Sequence, residues 1–164
     1  GDIASELFGG EEKPVGGMYV GIKGDIQGGV LTIMPMEYLL QFGDLLYGRD
    51  PGSSKELRKE EISGLTEMSN ILSASFIRAM ADATGFTIMQ EAPELSVDIC
   101  LSVIDSVVAR FNQPGEQILL TEAQLYYGEE ERAICYLLLF LEPSSIEKLV
   151  SAAKGEAVDV SGGS

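Results

Sequence analysis

The chain has 164 residues and a mass of 17.6 kDa, which suits one domain or two small fused halves that share a core. Eleven basic residues against 26 acidic residues give a net charge of −15, which argues against tight contact with nucleic acid or anionic lipid. Histidine is absent, and this excludes Ser-His and Cys-His nucleophile systems and every metal site that depends on imidazole.

The sequence predicts a cytoplasmic protein. No apolar run approaches the ~18 residues that a membrane-spanning helix needs, and the N-terminus carries no basic-then-apolar signal sequence. Cys100 and Cys135 lie in apolar segments without CxxC spacing, so we expect two reduced, buried thiols. Any chemistry must therefore come from carboxylates, amides and hydroxyls, or from a partner.

The first regular pattern along the chain is a two-stranded hairpin. Apolar residues alternate over residues 18–24 and 29–34, with a polar turn between them. Pro35 ends the hairpin and begins a predicted helix over Met36–Tyr47. Residues 49–54 then read as a polar linker.

The longest periodic segment, residues 55–84, predicts a long helix, and a short strand over 86–90 and a turn at Pro93 follow it. Residues 95–111 have apolar residues at helical spacing, and we predict a second helix there although its valines and isoleucines disfavour one. The remaining predicted elements are two strands and a closing helix, over 117–127, 133–141 and 143–153.

Two stretches repeat one order of elements: a hairpin, a proline, an amphipathic helix and a glycine. The span from proline to glycine runs from Pro35 to Gly48 in the first stretch and from Pro143 to Gly155 in the second. This pattern indicates an internal duplication. The second copy follows a long helix that the first copy lacks, so either that helix was lost or the chain begins inside its first repeat.

The duplication predicts a single domain over residues 1–154. Its first half-repeat covers about 1–54 and its second about 55–154, and residues 155–164 form a flexible tail.

The long helix separates into two faces when its residues are placed at 100° intervals. One arc of about 120° is the predicted core face, made of Ile62, Leu65, Met68, Leu72, Phe76, Ala79, Met80 and Ala83. Glu67 and Asn70 lie roughly opposite, one turn apart, so their side chains are expected side by side and away from the core. Taken alone, this pair is uninformative, because a solvated helix face often carries such residues.

The spacing of four residues is more specific than the pair. Ser63, Glu67, Asn70 and Pro93 follow the pattern Ser-x3-Glu-x2-Asn-x22-Pro. This pattern resembles the signature of the CheC/CheX/FliY phosphatases of bacterial and archaeal chemotaxis, and the resemblance extends over nearly the whole chain. CheC proteins usually carry the signature once in each half, whereas here only the second half carries it, which leaves open whether one site or two operate.

The resemblance implies an α+β fold: a CheC-like, pseudo-two-fold duplicated domain in two layers, with an antiparallel sheet packed against long helices. It also implies hydrolysis of the aspartyl phosphate of the response regulator CheY. In that reading Asn70 orients the attacking water and Glu67 aligns the active site of the regulator. No cofactor is expected on this chain, since Mg²⁺ would be held by CheY.

Three further roles are expected near this pair, two of them beside a simpler alternative. Ser63 either supports the Glu67 carboxylate or is a solvated serine, and Pro93 shapes the turn that borders the site. Ala74 either lets a partner protein lie flat on the helix or is an ordinary surface helix former.

The resemblance also implies a second partner, the receptor deamidase CheD, which in this family docks on the helix predicted at 95–111. Asp98 and Asp105 are the candidate contacts, although surface acids on an amphipathic helix need no function. A duplicated chain can satisfy its own pseudo-symmetry, so we expect a monomer. The alternative function is a non-catalytic binding module for CheY or CheD, as in flagellar switch proteins of the FliM type, which lack the Glu/Asn pair.

Overall fold

The computed structural model describes residues 10, 12–110, 118–127 and 131–153. In chain order these residues form β1 (Pro14–Gly24), β2 (Gly28–Pro35), α1 (Met36–Leu46), α2 (Lys59–Thr84), β3 (Ile88–Gln90), β4 (Glu94–Ile99), α3 (Cys100–Val108), β5 (Ile118–Tyr127), β6 (Glu131–Leu141) and α4 (Pro143–Ala153). The tail predicted to be flexible, 155–164, lies outside the described residues. No helix in the described ranges is both long and apolar enough to cross a membrane.

All of these strands belong to one antiparallel sheet. The strand order is β3-β1-β2-β6-β5, and β4 also pairs with β1. β3 pairs with residues 22–24 of β1 and β4 pairs with residues 14–19, so the two form a single interrupted strand at one edge. The predicted α+β class is confirmed.

Helices cover both faces of the sheet, so the two-layer expectation was wrong. We call the face that is covered by α1, α2 and α4 the upper face, and the other the lower face. On the upper face, side chains of β2 and β6 such as Val30, Met34 and Leu139 pack with these three helices. On the lower face, alternate residues such as Leu31 and Leu138 pack with α3. The chain therefore has a separate apolar core on each side of one sheet, because both sets of alternating side chains in β2, and those described in β6, are apolar apart from a few polar members such as Thr32.

Adjacent glycines in β1 allow helices to approach the sheet from both sides. A Cβ atom at Gly16 would overlap with the side chain of Leu39 in α1, and one at Gly17 would overlap with Val103 in α3. Because successive strand residues point to opposite faces, this pair leaves room for one helix on each face.

The two units that each consist of a hairpin and the helix after it, β1–β2–α1 and β5–β6–α4, have equivalent places in the fold. β2 and β6 are the central neighbours of the sheet, with Val30 opposite Leu139 and Leu31 opposite Leu138. The helices that follow them, α1 and α4, both pack on the upper face. This is the arrangement that the repeated order of elements predicts.

The predicted helix over 95–111 is wrong in its first third. Residues 94–99 form strand β4, all exposed, and the helix runs only over Cys100–Val108. The segment alternates between polar and apolar residues with a period of two, which is typical of a strand. Its pairing with β1 also supplies hydrogen-bond partners to backbone N–H and C=O groups of β1 that would be unpaired if the segment were a helix. Val97, which lies in this part of the predicted helix, is therefore an exposed strand residue, while residue 111, where the predicted helix ends, lies outside the described residues.

A buried charge cluster closes the loop between α1 and α2. Asp44 is fully buried and accepts hydrogen bonds from the Ser54 hydroxyl, from the N–H groups of Gly52 and Ser54 at 3.1 Å each, and from Arg49 Nε at 3.1 Å. Arg49 also pairs with the buried Glu61 in the first turn of α2. Because every charge is paired, the cluster ties both helices and the loop into one unit.

These contacts change the acidity of Asp44. The Ser54 hydroxyl contributes most, and with the backbone N–H groups and Arg49 it holds the pKa of this carboxyl well below its ordinary value, against the opposing effect of burial. A carboxylate whose folded-state pKa is lowered adds stability above the pKa of the unfolded form, near 3.9, and loses that contribution as the pH falls further.

We expect Asp44→Asn to lower the melting temperature by about 5 °C or more at pH 7, because it removes the anion from the loop N–H groups and one of the two carboxylates that Arg49 contacts. The free energy of unfolding of Asp44→Asn, measured by urea unfolding, should also fall less than that of the wild type between pH 5 and pH 3. Asp50→Asn is the matched control, since Asp50 is exposed and its backbone carbonyl accepts the bonds from Ser53. Equal pH dependence in wild type and Asp44→Asn would contradict the assignment.

Candidate functional site

Helix α2 is fixed to the sheet by the side that carries Ser73 and Ile77, which are 0% and 3% exposed. The hydroxyls of Ser73 and of Thr32 in β2 are 3.0 Å apart and form a buried hydrogen bond. Ile77, one turn further along, belongs to the upper core. Two contacts on successive turns set the rotation of the helix about its own axis.

This rotation corrects part of the predicted core face. Ala79 and Ala83 were assigned to the core and are exposed, whereas Ser73 and Ile77 are the most buried residues in the middle of the helix. Met68, Leu72, Phe76 and Met80 pack against the upper core and stay partly buried. The polar Thr32 needs a hydrogen-bond partner inside the apolar core, and a serine turned inward supplies it, which hydrophobic periodicity cannot show.

Glu67 and Asn70 lie on the outer part of α2. Glu67 is exposed and Asn70 is half-buried. As residues i and i+3 of a helix, they have Cβ atoms about 5–6 Å apart. Within the described ranges, neither side chain makes a hydrogen bond or ion pair with another residue of the chain. One carboxylate and one carboxamide are therefore held side by side on a rigid helix, where a molecule from outside can meet both.

The other predicted site residues on α2 flank this pair. Ser63 is exposed one turn before Glu67, and the part of the chain that the structure describes contains no hydrogen bond between them. Ala74 is half-buried one turn after Asn70. Both positions are open toward the side of the helix that carries Glu67, but the expected roles of these residues stay predictions.

Pro93 lies in the gap between β3 and β4 and is exposed. Proline has no N–H to donate to a strand ladder, so it is suited to the point where an edge strand is interrupted. The predicted turn is thus part of the sheet edge, since the strands before and after it both pair with β1.

Asp98 and Asp105 lie on the opposite side of the molecule from α2. Asp98 was predicted on a helix but is an exposed residue of β4, paired with Val15, whose side chain belongs to the lower core. Asp105 is exposed on α3, the helix that covers that lower face. The two acids therefore share one side of the sheet, and their docking role stays a prediction.

A cavity of about 20 Å³ lies between the first half of α2 and the sheet edge, with room for about one water molecule. Its lining is mainly apolar and includes Ile62, Leu57 and Val97. Ser69 contributes to it, whereas Glu67 and Asn70 do not. The candidate site is thus an exposed helix surface and not an enclosed pocket.

Ile71 is the feature of this surface that the sequence interpretation missed. It follows Asn70 directly and is 57% exposed, the highest value among the exposed large hydrophobic residues in the described ranges. The signal was present in the sequence, because Ile71 falls outside the predicted apolar arc although it is one of the most hydrophobic residues of the helix.

The thiols take no part in this surface. Cys100 and Cys135 are free and buried, as predicted, and they belong to the lower and upper cores respectively. Burial raises the pKa of each thiol to about 11, so at neutral pH neither is a thiolate nucleophile. Among the described residues, no three Cys, Asp or Glu side chains form a group that could hold a metal ion.

Comparison with known proteins gives one curated relative of note and two solved structures with the same fold. No protein-family model matches the chain. The CheY-P phosphatase CheC of Bacillus subtilis (strain 168) is 27% identical over 154 residues, which cover 92% of this chain and 74% of that protein.

The crystal structure of Thermotoga maritima FliY aligns with a TM-score of 0.71 at 13% identity, over 95% of this chain and 76% of that one. A chain of the CheX-CheY-BeF3-Mg²⁺ complex from Borrelia burgdorferi aligns with a TM-score of 0.54 at 19% identity, over 86% of this chain and 92% of that one. The chain is therefore similar in sequence to CheC over most of its length, and it shares its fold with these two structures.

Proposed function

We propose that this protein is a phosphatase of chemotaxis signalling that hydrolyses the aspartyl phosphate of phosphorylated CheY. The observation that carries the proposal is the pair Glu67 and Asn70, placed one turn apart on the outer part of α2 with no partner among the described residues. Polar side chains held in this way can enter the active site of another protein. The curated relative is named as a CheY-P phosphatase, and one structural neighbour comes from a complex that contains CheY.

Asn70 is the proposed water-positioning residue. Its amide oxygen accepts a hydrogen bond from the attacking water, and its NH2 group donates to an oxygen nearby. The water oxygen bonds to phosphorus as the bond from phosphorus to the aspartyl oxygen breaks, which leaves a free carboxylate and inorganic phosphate. An acyl phosphate is already activated, so positioning and charge organisation supply most of the catalysis. The half-buried setting of Asn70 restricts its rotation and lowers the entropy cost of holding the water.

Glu67 is the proposed residue that aligns the partner. Its exposed carboxylate pairs with a basic residue in the active site of the regulator and fixes the phosphorylated pocket over Asn70. The proposal places no metal on this chain, because the Mg²⁺ that neutralises the phosphoryl charge belongs to the regulator. This division of labour agrees with a chain that has no histidine.

We expect Asn70→Ala to reduce the rate that the protein adds to the decay of CheY phosphate by about 100-fold, since one transition-state hydrogen-bonding group is lost. The measurement is the release of inorganic phosphate from purified phosphorylated CheY. Ser75→Ala, an exposed change on the same helix, is the control and should leave the rate unaltered. A full rate with folded Asn70→Ala would remove the catalytic assignment. Binding of phosphorylated CheY by the wild type with no faster decay would instead identify the non-catalytic module.

We expect Glu67→Gln to reduce kcat/KM for phosphorylated CheY by about tenfold, because the variant keeps the shape and loses the charge that pairs with the partner. The deficit should shrink as ionic strength rises, since the wild-type advantage is electrostatic. Asp82→Asn provides the comparison, because it removes a charge from an exposed position on the same helix. An identical loss for both variants would show that net charge is responsible and not the position of Glu67.

A further inference from the structure

The outer face of α2 presents an apolar side chain directly beside the proposed catalytic pair. Ile71 follows Asn70 and lies one turn after Glu67, and its side chain is 57% exposed. Single exposed apolar residues are common and need no explanation. The position of this one is informative, because helix neighbours at i and i+4 lie about 5–6 Å apart. A protein surface that receives Glu67 therefore lies within reach of Ile71.

Three residues of α2 project in one direction. At 100° per residue, Glu67, Ile71 and Arg78 fall within an arc of about 40°, and we call them the α2 ridge. All three are exposed. Ala74 and Ser75 lie between Ile71 and Arg78 along the helix. Both side chains are small, so the isoleucine side chain protrudes beyond them. The ridge is therefore a row of one carboxylate, one apolar group and one cation along about three turns.

Arg78 differs from Arg49, Arg58 and Arg110, each of which makes an ion pair within the chain. The protein has 11 basic residues against 26 acidic ones, yet Arg78 makes no ion pair with any residue in the ranges that the structure describes. Its guanidinium can therefore bind a carboxylate from outside without breaking a contact within the chain. Opposite charges at the two ends of the ridge define a direction, so a complementary partner can dock in one orientation along the helix.

We propose that the α2 ridge is the docking surface for the phosphorylated regulator. Ile71 fills an apolar depression beside the phosphorylated pocket, and Arg78 pairs with an acidic side chain of the partner further from it. This inference rests on the proposed function, since the regulator is brought to the ridge by Glu67 and Asn70. It adds to that function a specificity element that touches no reacting atom.

The test is steady-state hydrolysis as a function of phosphorylated CheY concentration. Ile71→Ser should raise KM about tenfold and leave kcat within about twofold, because it weakens docking and not the chemical step. Ile71→Leu should restore most of the affinity. Val150→Ser is the matched control, since Val150 is 45% exposed on α4, and it should change neither constant. Arg78→Glu should also raise KM, by an amount that falls with added salt.

The outcomes separate this inference from the proposed function. A large loss of kcat in Asn70→Ala with an unchanged KM in both Ile71→Ser and Arg78→Glu would overturn the docking ridge and leave the phosphatase intact. No effect of Asn70→Ala would refute the catalytic role of Asn70, and no faster decay with the wild type would refute the phosphatase, whatever the ridge variants do. A fall in kcat without a change in KM for Ile71→Ser would also contradict a docking role. Circular dichroism and melting temperature confirm that each variant is folded.

Discussion

The attachment of α2 to the sheet is the constraint on which the candidate site depends. A long helix can rotate about its axis at small cost unless specific contacts fix it, and here the Ser73–Thr32 hydrogen bond and the buried Ile77 do so on successive turns. A slip by one residue would turn Glu67 by about 100° and leave two buried hydroxyls without partners. The exposure of Glu67 and the partial exposure of Asn70 therefore follow from a polar contact within an otherwise apolar core.

The second anchor of α2 is electrostatic and lies at the beginning of the helix. Glu61 shares Arg49 with Asp44, so the loop from α1 is bound to the first turn of α2 through paired charges. The N–H of Arg58 is also 3.3 Å from Glu61, which satisfies one of the backbone groups exposed at a helix start. The helix is thus held at its start by charge and in its middle by a hydroxyl pair and packing, which leaves its outer side available.

Much of the architecture could be predicted from the sequence, because local signals and tertiary structure agree there. Pro35 and Pro143 begin helices after alternating strands, and both the hairpins and the repeated order of elements are found as expected. The prediction was wrong where two signals compete. Residues 94–99 carry both a two-residue and a helical period, and the unpaired edge of β1 decides in favour of a strand. Glu67 and Asn70 could be identified by spacing, whereas the inward turn of Ser73 depends on Thr32, 41 residues away.

The two buried cysteines have a practical consequence. One thiol belongs to the first residue of α3 and the other lies in β6 beneath the opposite set of helices, so each core contains its own chemical reporter. Pulsed alkylation followed by peptide mass analysis would record separately how often each layer opens, since modification requires local exposure. Docking of another protein on one face would slow labelling of the cysteine on that side first. The difference in labelling rate between the two cysteines would therefore report which face a partner covers.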